Sequence, residues 1–132
     1  MAGWTIRRHV DVNNPYTQYQ NNSILTASPQ KLTLMLYNGA IKFCNQSMEA
    51  LEKKDMNKCH YYNLRAQDII VELQATLDEK YEIAKDFDAL YTFILELLVD
   101  GNIEKSKEKI EQAKELIIEF RDLWETLMTG GK

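Results

Sequence analysis

From Pro29 to Met128 the apolar residues recur at spacings of three and four, and no strict alternation runs long enough to form a strand. The pattern falls into four segments. The first predicts a helix with Ser28 as N-cap and Pro29 at the first helical position, running to about Lys53. There the serine hydroxyl accepts an otherwise unpaired backbone N–H, and the fixed φ of proline suits the first turn. Lys53-Lys54 puts cations at a helix end, and Asp55 is placed to cap the next helix. That second helix spans about Met56 to Leu77, with Met56, Cys59, Tyr62, Ala66, Ile69, Ile70, Leu73 and Leu77 on its apolar face.

A third helix is expected from about Ile83 to Val99. Phe87, Leu90, Tyr91, Ile94, Leu97 and Leu98 point inward, and Gly101-Asn102 closes it. The fourth, about Glu104 to Met128, has the most regular stripe: Ile110, Ala113, Ile117, Phe120, Trp124 and Leu127, the seam of a left-handed bundle. Glu104 with Lys107 and Glu111 with Lys114 make charge pairs three apart on its outer side. Four long helices with short joints imply an all-α chain folded as an antiparallel up-down four-helix bundle. The chain divides into an unpatterned extension (1–12), one helical domain (13–128) and a short tail (129–132) expected to be flexible.

The first helix is apolar on more of its circumference than one core contact needs. At roughly 100° per residue, Leu32, Met35, Leu36, Gly39, Ala40, Phe43, Ser47 and Ala50 share one arc. Leu34, Tyr37, Ile41, Cys44, Met48 and Leu51 occupy the arc beside it. One explanation is a helix packed between two neighbours. The other is a groove that takes a helix or extended peptide from a partner. Leu34, Tyr37, Ile41 and Met48 would line such a groove, with Ile69, Ile70 and Leu73 as a facing wall. An open apolar groove invites aggregation, and the polar segment before the helix offers a cover. Its Tyr16 and Tyr19 can lay their rings on apolar surface with the hydroxyls wet. The N-terminal segment is therefore expected to pack as a cap on the bundle.

Composition narrows the function. With 45% hydrophobic and 27% charged residues the chain reads as globular. A net charge of −4 without a Lys/Arg cluster gives no footprint for nucleic acid, and the apolar runs are too short for membrane insertion. No secretory signal opens the chain. Cys44 and Cys59, on consecutive antiparallel helices, are expected as free buried thiols. His60 follows Cys59, but no second ligand pair of metal-site spacing accompanies it. No Gly-rich phosphate loop and no nucleophile with a base partner emerges, so no catalytic residue, cofactor or metal is assigned. A binding module is favoured over an enzyme.

The run NPYTQYQNNSILTASPQKLTLMLYNGAIKF resembles the opening of the FliS family, flagellar secretion chaperones that bind flagellin. The Pro-Tyr-x-x-Tyr lead-in is matched by Pro15 to Tyr19, Thr-Ala-Ser-Pro by Thr26 to Pro29, and Leu-Met-Leu-Tyr-x-Gly by Leu34 to Gly39. NLRAQDIIVEL (63–73), ALYTFILELLVDGNI (89–103) and FRDLW (120–124) are similar to later family motifs. The resemblance covers about Asn13 to Met128. Residues 1–12 fall outside it, and Glu96 stands where the family often has a basic residue.

It implies a chaperone of the bacterial cytosol that holds the C-terminal segment of flagellin, stops premature polymerisation and serves flagellar type III secretion and hence motility. Flagellin and the flagellar export gate are the implied partners. The alternative is a structural bundle that self-associates, as a homodimer, through the same apolar surface.

Overall fold

A computed structural model of the chain describes residues 29–129. Among these residues are four helices: α1 (Pro29–Glu52), α2 (Met56–Ala75), α3 (Ile83–Glu104) and α4 (Lys107–Met128). The helices α1 and α3 each pack on both α2 and α4, which closes the expected four-helix ring. Ser28, the proposed cap segment with Tyr16 and Tyr19, and residues 1–12 lie outside the described residues, as does the tail beyond Thr129.

The joints follow from local chemistry. Lys54 takes a left-handed φ of 61° to end α1, and the Asp55 carboxylate accepts the Lys58 N–H at 3.1 Å to begin α2. The second helix stops at Ala75, two residues before the predicted Leu77. There the Thr76 hydroxyl donates to the Leu73 carbonyl at 2.7 Å and ends the ladder. The third helix continues past its predicted end at Val99. Gly101 stays helical and buried because α4 crosses there: a Cβ on Gly101 would lie 2.9 Å from Ile110 Cγ1.

Lys105, at φ 53°, makes the turn instead, and the Ser106 N–H returns to the Gly101 carbonyl at 2.8 Å. Ser106 Oγ then accepts the Lys109 N–H, so α4 begins at Lys107 rather than Glu104. That shift breaks the predicted Glu104–Lys107 pair. Lys109 takes Glu104 at 2.9 Å, and Lys107 reaches across to Glu52 of α1. The pair Glu111–Lys114 forms, at 3.3 Å.

The core is sealed by Tyr37, Ile70, Leu73, Ile94, Leu98, Ile110 and Ile117. Cys44 and Cys59 are free and buried, as expected. Two polar ties fix how the helices sit. The Ser47 hydroxyl donates to the Cys59 carbonyl at 2.8 Å, joining α1 to α2. Asn63 Nδ2 donates to the Leu98 carbonyl at 3.1 Å while its Oδ1 accepts from Gln67, joining α2 to α3. Three residues predicted to face inward do not. Met56, Leu90 and Leu127 are exposed, the last two because they lie on the flank of the α3/α4 contact and not at its centre.

Candidate functional site

The residues predicted as groove wall are spread around α1 and α2. Tyr37, Met48, Ile69, Ile70 and Leu73 are buried in the bundle, and Leu34 and Ile41 are half-buried. Tyr37 stacks on Phe120 at 6.4 Å and lies 6.5 Å from Trp124, so the second apolar arc of α1 faces α4. Ile69 lies on the other side of α1, where its Cδ1 would be 3.2 Å from a Cβ on Gly39. The described residues therefore do not bring Leu34 and Ile41 into one groove with Ile69, Ile70 and Leu73. Tyr16 and Tyr19 lie outside the described residues.

Open apolar surface lies elsewhere. A furrow of about 340 Å3 runs between α3 and α4, lined by Phe93, Leu97, Gln112, Glu115, Leu116 and Glu119. Ile83, Leu90 and Leu97 are seven residues apart and so keep within about 20° per step of one helix face. On α4, Leu116, Leu123 and Leu127 repeat at seven and four. Of these rows Leu97 and Leu116 line the furrow, and the others continue along the same flank of the two antiparallel helices. Phe93 is 48% exposed, Leu90 44%, Leu123 44% and Leu127 50%. Contiguous apolar surface of this kind marks an interaction site more often than chance exposure does.

The furrow is also acidic. The third helix carries one lysine against five carboxylates, and the fourth carries four cations against six carboxylates; α1 and α2 are each balanced at two and two. All four cations of α4 are engaged: Lys107 with Glu52, Lys109 with Glu104, Lys114 with Glu111, and Arg121 with Asp122 and Asn38. Glu115 and Glu119, which line the furrow, have no cation partner among the described residues.

Behind this surface lies a buried hydroxyl pair. Tyr37 and Tyr91 meet at 2.5 Å between their oxygens, beside Phe120, whose ring centroid is 4.8 Å from that of Tyr91. Burial raises both phenols above their ordinary 10.0; for Tyr91 the Tyr37 hydroxyl adds to the rise, whereas for Tyr37 the hydrogen bond offsets part of it. Burial likewise pushes the Cys44 thiol up to about 12, with Lys114 lowering it and Glu111 raising it. These groups stay protonated and inert, holding α1, α3 and α4 together. Among the described residues no group of three His, Cys, Asp or Glu could hold a metal, and His60 Nδ1 is 2.8 Å from Asn102 Nδ2. No described helix is long and apolar enough to cross a membrane.

Residues 12–131 match the family model described as "Flagellar protein FliS". The chain belongs to the FliS family. It is 39% identical over 113 residues to the flagellar secretion chaperone FliS of Bacillus subtilis, covering 86% of this chain and 85% of that one. The Campylobacter jejuni protein of the same name is 32% identical over 114 residues, covering 85% and 89%, and that of Salmonella typhimurium 27% over 109, covering 80% and 81%. The family is one of flagellar secretion chaperones.

Family membership shows the class of protein and leaves the contact surface to the structure. The furrow had a signal in the sequence. On α3 the row Ile83, Leu90, Phe93 and Leu97 runs beside the core row Tyr91, Ile94 and Leu98. That is the same double stripe that singled out α1, and read alone it does not say which of two stripes stays open.

Proposed function

We propose that the protein is an export chaperone that binds the C-terminal segment of flagellin in an apolar groove, prevents its premature polymerisation and keeps it competent for flagellar type III secretion. The observation that carries this reading is the open apolar furrow between α3 and α4, on a chain of the flagellar secretion chaperone family. A segment that must later coil against its neighbours in a filament has an apolar stripe to hide. From the furrow, apolar side chains continue along this flank of α3 over about 20 Å, the length from Ile83 to Leu97 at 1.5 Å per residue.

Each client Leu, Ile or Phe fully buried there contributes about 1.5–3 kcal/mol. Ordering the client segment costs about 2–5 kcal/mol in return, so a few well-placed side chains suffice for reversible binding. Before the client arrives, Tyr16 and Tyr19 serve as a movable cover for apolar surface, with the half-buried Leu34 and Ile41 of α1 as a footing. Binding occurs in the bacterial cytosol, and the loaded chaperone presents the client to the export gate.

Calorimetric titration of the full chain with a peptide of the flagellin C-terminal segment tests the proposal. Micromolar or tighter binding is expected. A folded bundle that does not bind at that concentration contradicts it. The exposure of the same furrow also favours a second reading, a bundle that pairs with itself there. Sedimentation separates the two: client dissolves any homodimer under the first reading and leaves it intact under the second.

A further inference from the structure

We infer that the α3/α4 furrow selects, by charge, an amphipathic helix whose apolar stripe is flanked by Lys or Arg. The inference rests on reading the furrow as a binding site and adds what the occupant must carry. Its floor is apolar, supplied by Phe93, Leu97 and Leu116, and one edge is formed by Glu115 and Glu119. Those two carboxylates are four apart on α4 and so lie one above the other along the furrow. Every cation of α4 is already engaged, Lys107 with Glu52, Lys109 with Glu104, Lys114 with Glu111, and Arg121 with Asp122 and Asn38, and none with either furrow glutamate. The only basic residue of α3 is Lys85, near its first turn.

An approaching helix therefore meets apolar surface beside negative charge that no cation among the described residues neutralises. A helix with acidic flanks would bring like charges together as both surfaces lose water, whereas a basic flank would satisfy the two glutamates. The excess of carboxylates belongs to the α3 and α4 half of the bundle, because α1 and α2 are each balanced. An occupant of about 14 residues, four turns, would match the row from Ile83 to Leu97.

The test uses two synthetic peptides of about 14 residues with an identical leucine stripe, one flanked by lysines and one by glutamates. Each is titrated into the isotopically labelled full chain and followed by backbone amide shifts. At low salt the lysine peptide is expected to bind about tenfold more tightly, with shifts centred on Phe93, Leu97 and Leu116. The advantage should shrink as added salt shortens the screening length. Glu115→Gln with Glu119→Gln should remove most of it. Glu49→Gln with Glu79→Gln, which changes net charge equally but lies off the furrow, should not.

Equal binding of both peptides overturns the inference. So do shifts centred elsewhere, or equal effects of the two double variants. Flagellin peptide that binds at the furrow without regard to salt or to Glu115 and Glu119 also overturns it, and leaves the chaperone reading standing. A lysine preference at the furrow in a chain that does not bind flagellin supports it and removes that reading.

Discussion

The helix α4 takes part in two seams that are finished differently. Toward α1 it is closed: Tyr37 stacks on Phe120, Lys107 reaches Glu52, and Arg121 Nη1 donates to Asn38 at 3.0 Å. Toward α3 the centre is packed, with Phe87 and Tyr91 against Phe120, but the outer edge leaves Phe93, Leu123 and Leu127 exposed, and Glu115 and Glu119 there have no cation partner among the described residues. Both seams bury apolar residues. The difference is that polar side chains span the first seam at both ends, Lys107 to Glu52 and Arg121 to Asn38, while the second is bridged only beside the turn, by Lys109 and Glu104, among the described residues. A bundle can thus be firm on one side and receptive on the other while sharing one helix between them.

The comparison is broken most severely at Phe120, the ring that serves both seams. Phe120→Ala should cost about 3–5 kcal/mol, measured as a lower urea midpoint, and should weaken client binding only through loss of fold. Next is the hydroxyl pair. Tyr37→Phe leaves the Tyr91 hydroxyl buried without its partner and should cost about 1–3 kcal/mol. Adding Tyr91→Phe should cost less than a second such loss, and a double-mutant cycle reads the coupling.

Cys44, buried beside α4, sharpens the closed side through pH. Its thiol, ordinarily ionising at 9.0, is held up to about 12 in the fold by burial. The folded state therefore keeps the proton longer. Stability from this group is complete below pH 9.0, falls as pH rises, and is lost on passing about 12. The urea midpoint should decline over that window, and less steeply in Cys44→Ala. The open side gives the opposite kind of result. Phe93→Ala, at the furrow, should change stability by under about 0.5 kcal/mol, although it removes the same side chain as Phe120→Ala.

The fold was legible because each helix carries its core stripe at regular spacing, and Asp55 and the Glu111–Lys114 pair sit where helix chemistry puts them. What escaped was set by tertiary contact. Gly101 reads as a helix stop, yet it is helical because Ile110 presses on it, and that moved the turn to Lys105 and the next helix start to Lys107. The candidate site was legible only as a kind of feature. A double apolar stripe marks a helix with two contacts to make, and both α1 and α3 have one. Only packing reveals that the second stripe of α1 is filled by Phe120 and Trp124 while that of α3 meets solvent. Tyr37, Ile70 and Leu73 belong to the interior for the same reason.

The central claim is that the furrow between α3 and α4 holds the client. Calorimetry of the flagellin C-terminal peptide with the unaltered chain and with Phe93→Ala tests it most directly, because this change spares the fold. Loss of one buried phenylalanine contact predicts affinity reduced by about tenfold or more, with an unchanged melting temperature. Equal affinity of the two proteins for the peptide would contradict the account and place the client on another face of the bundle.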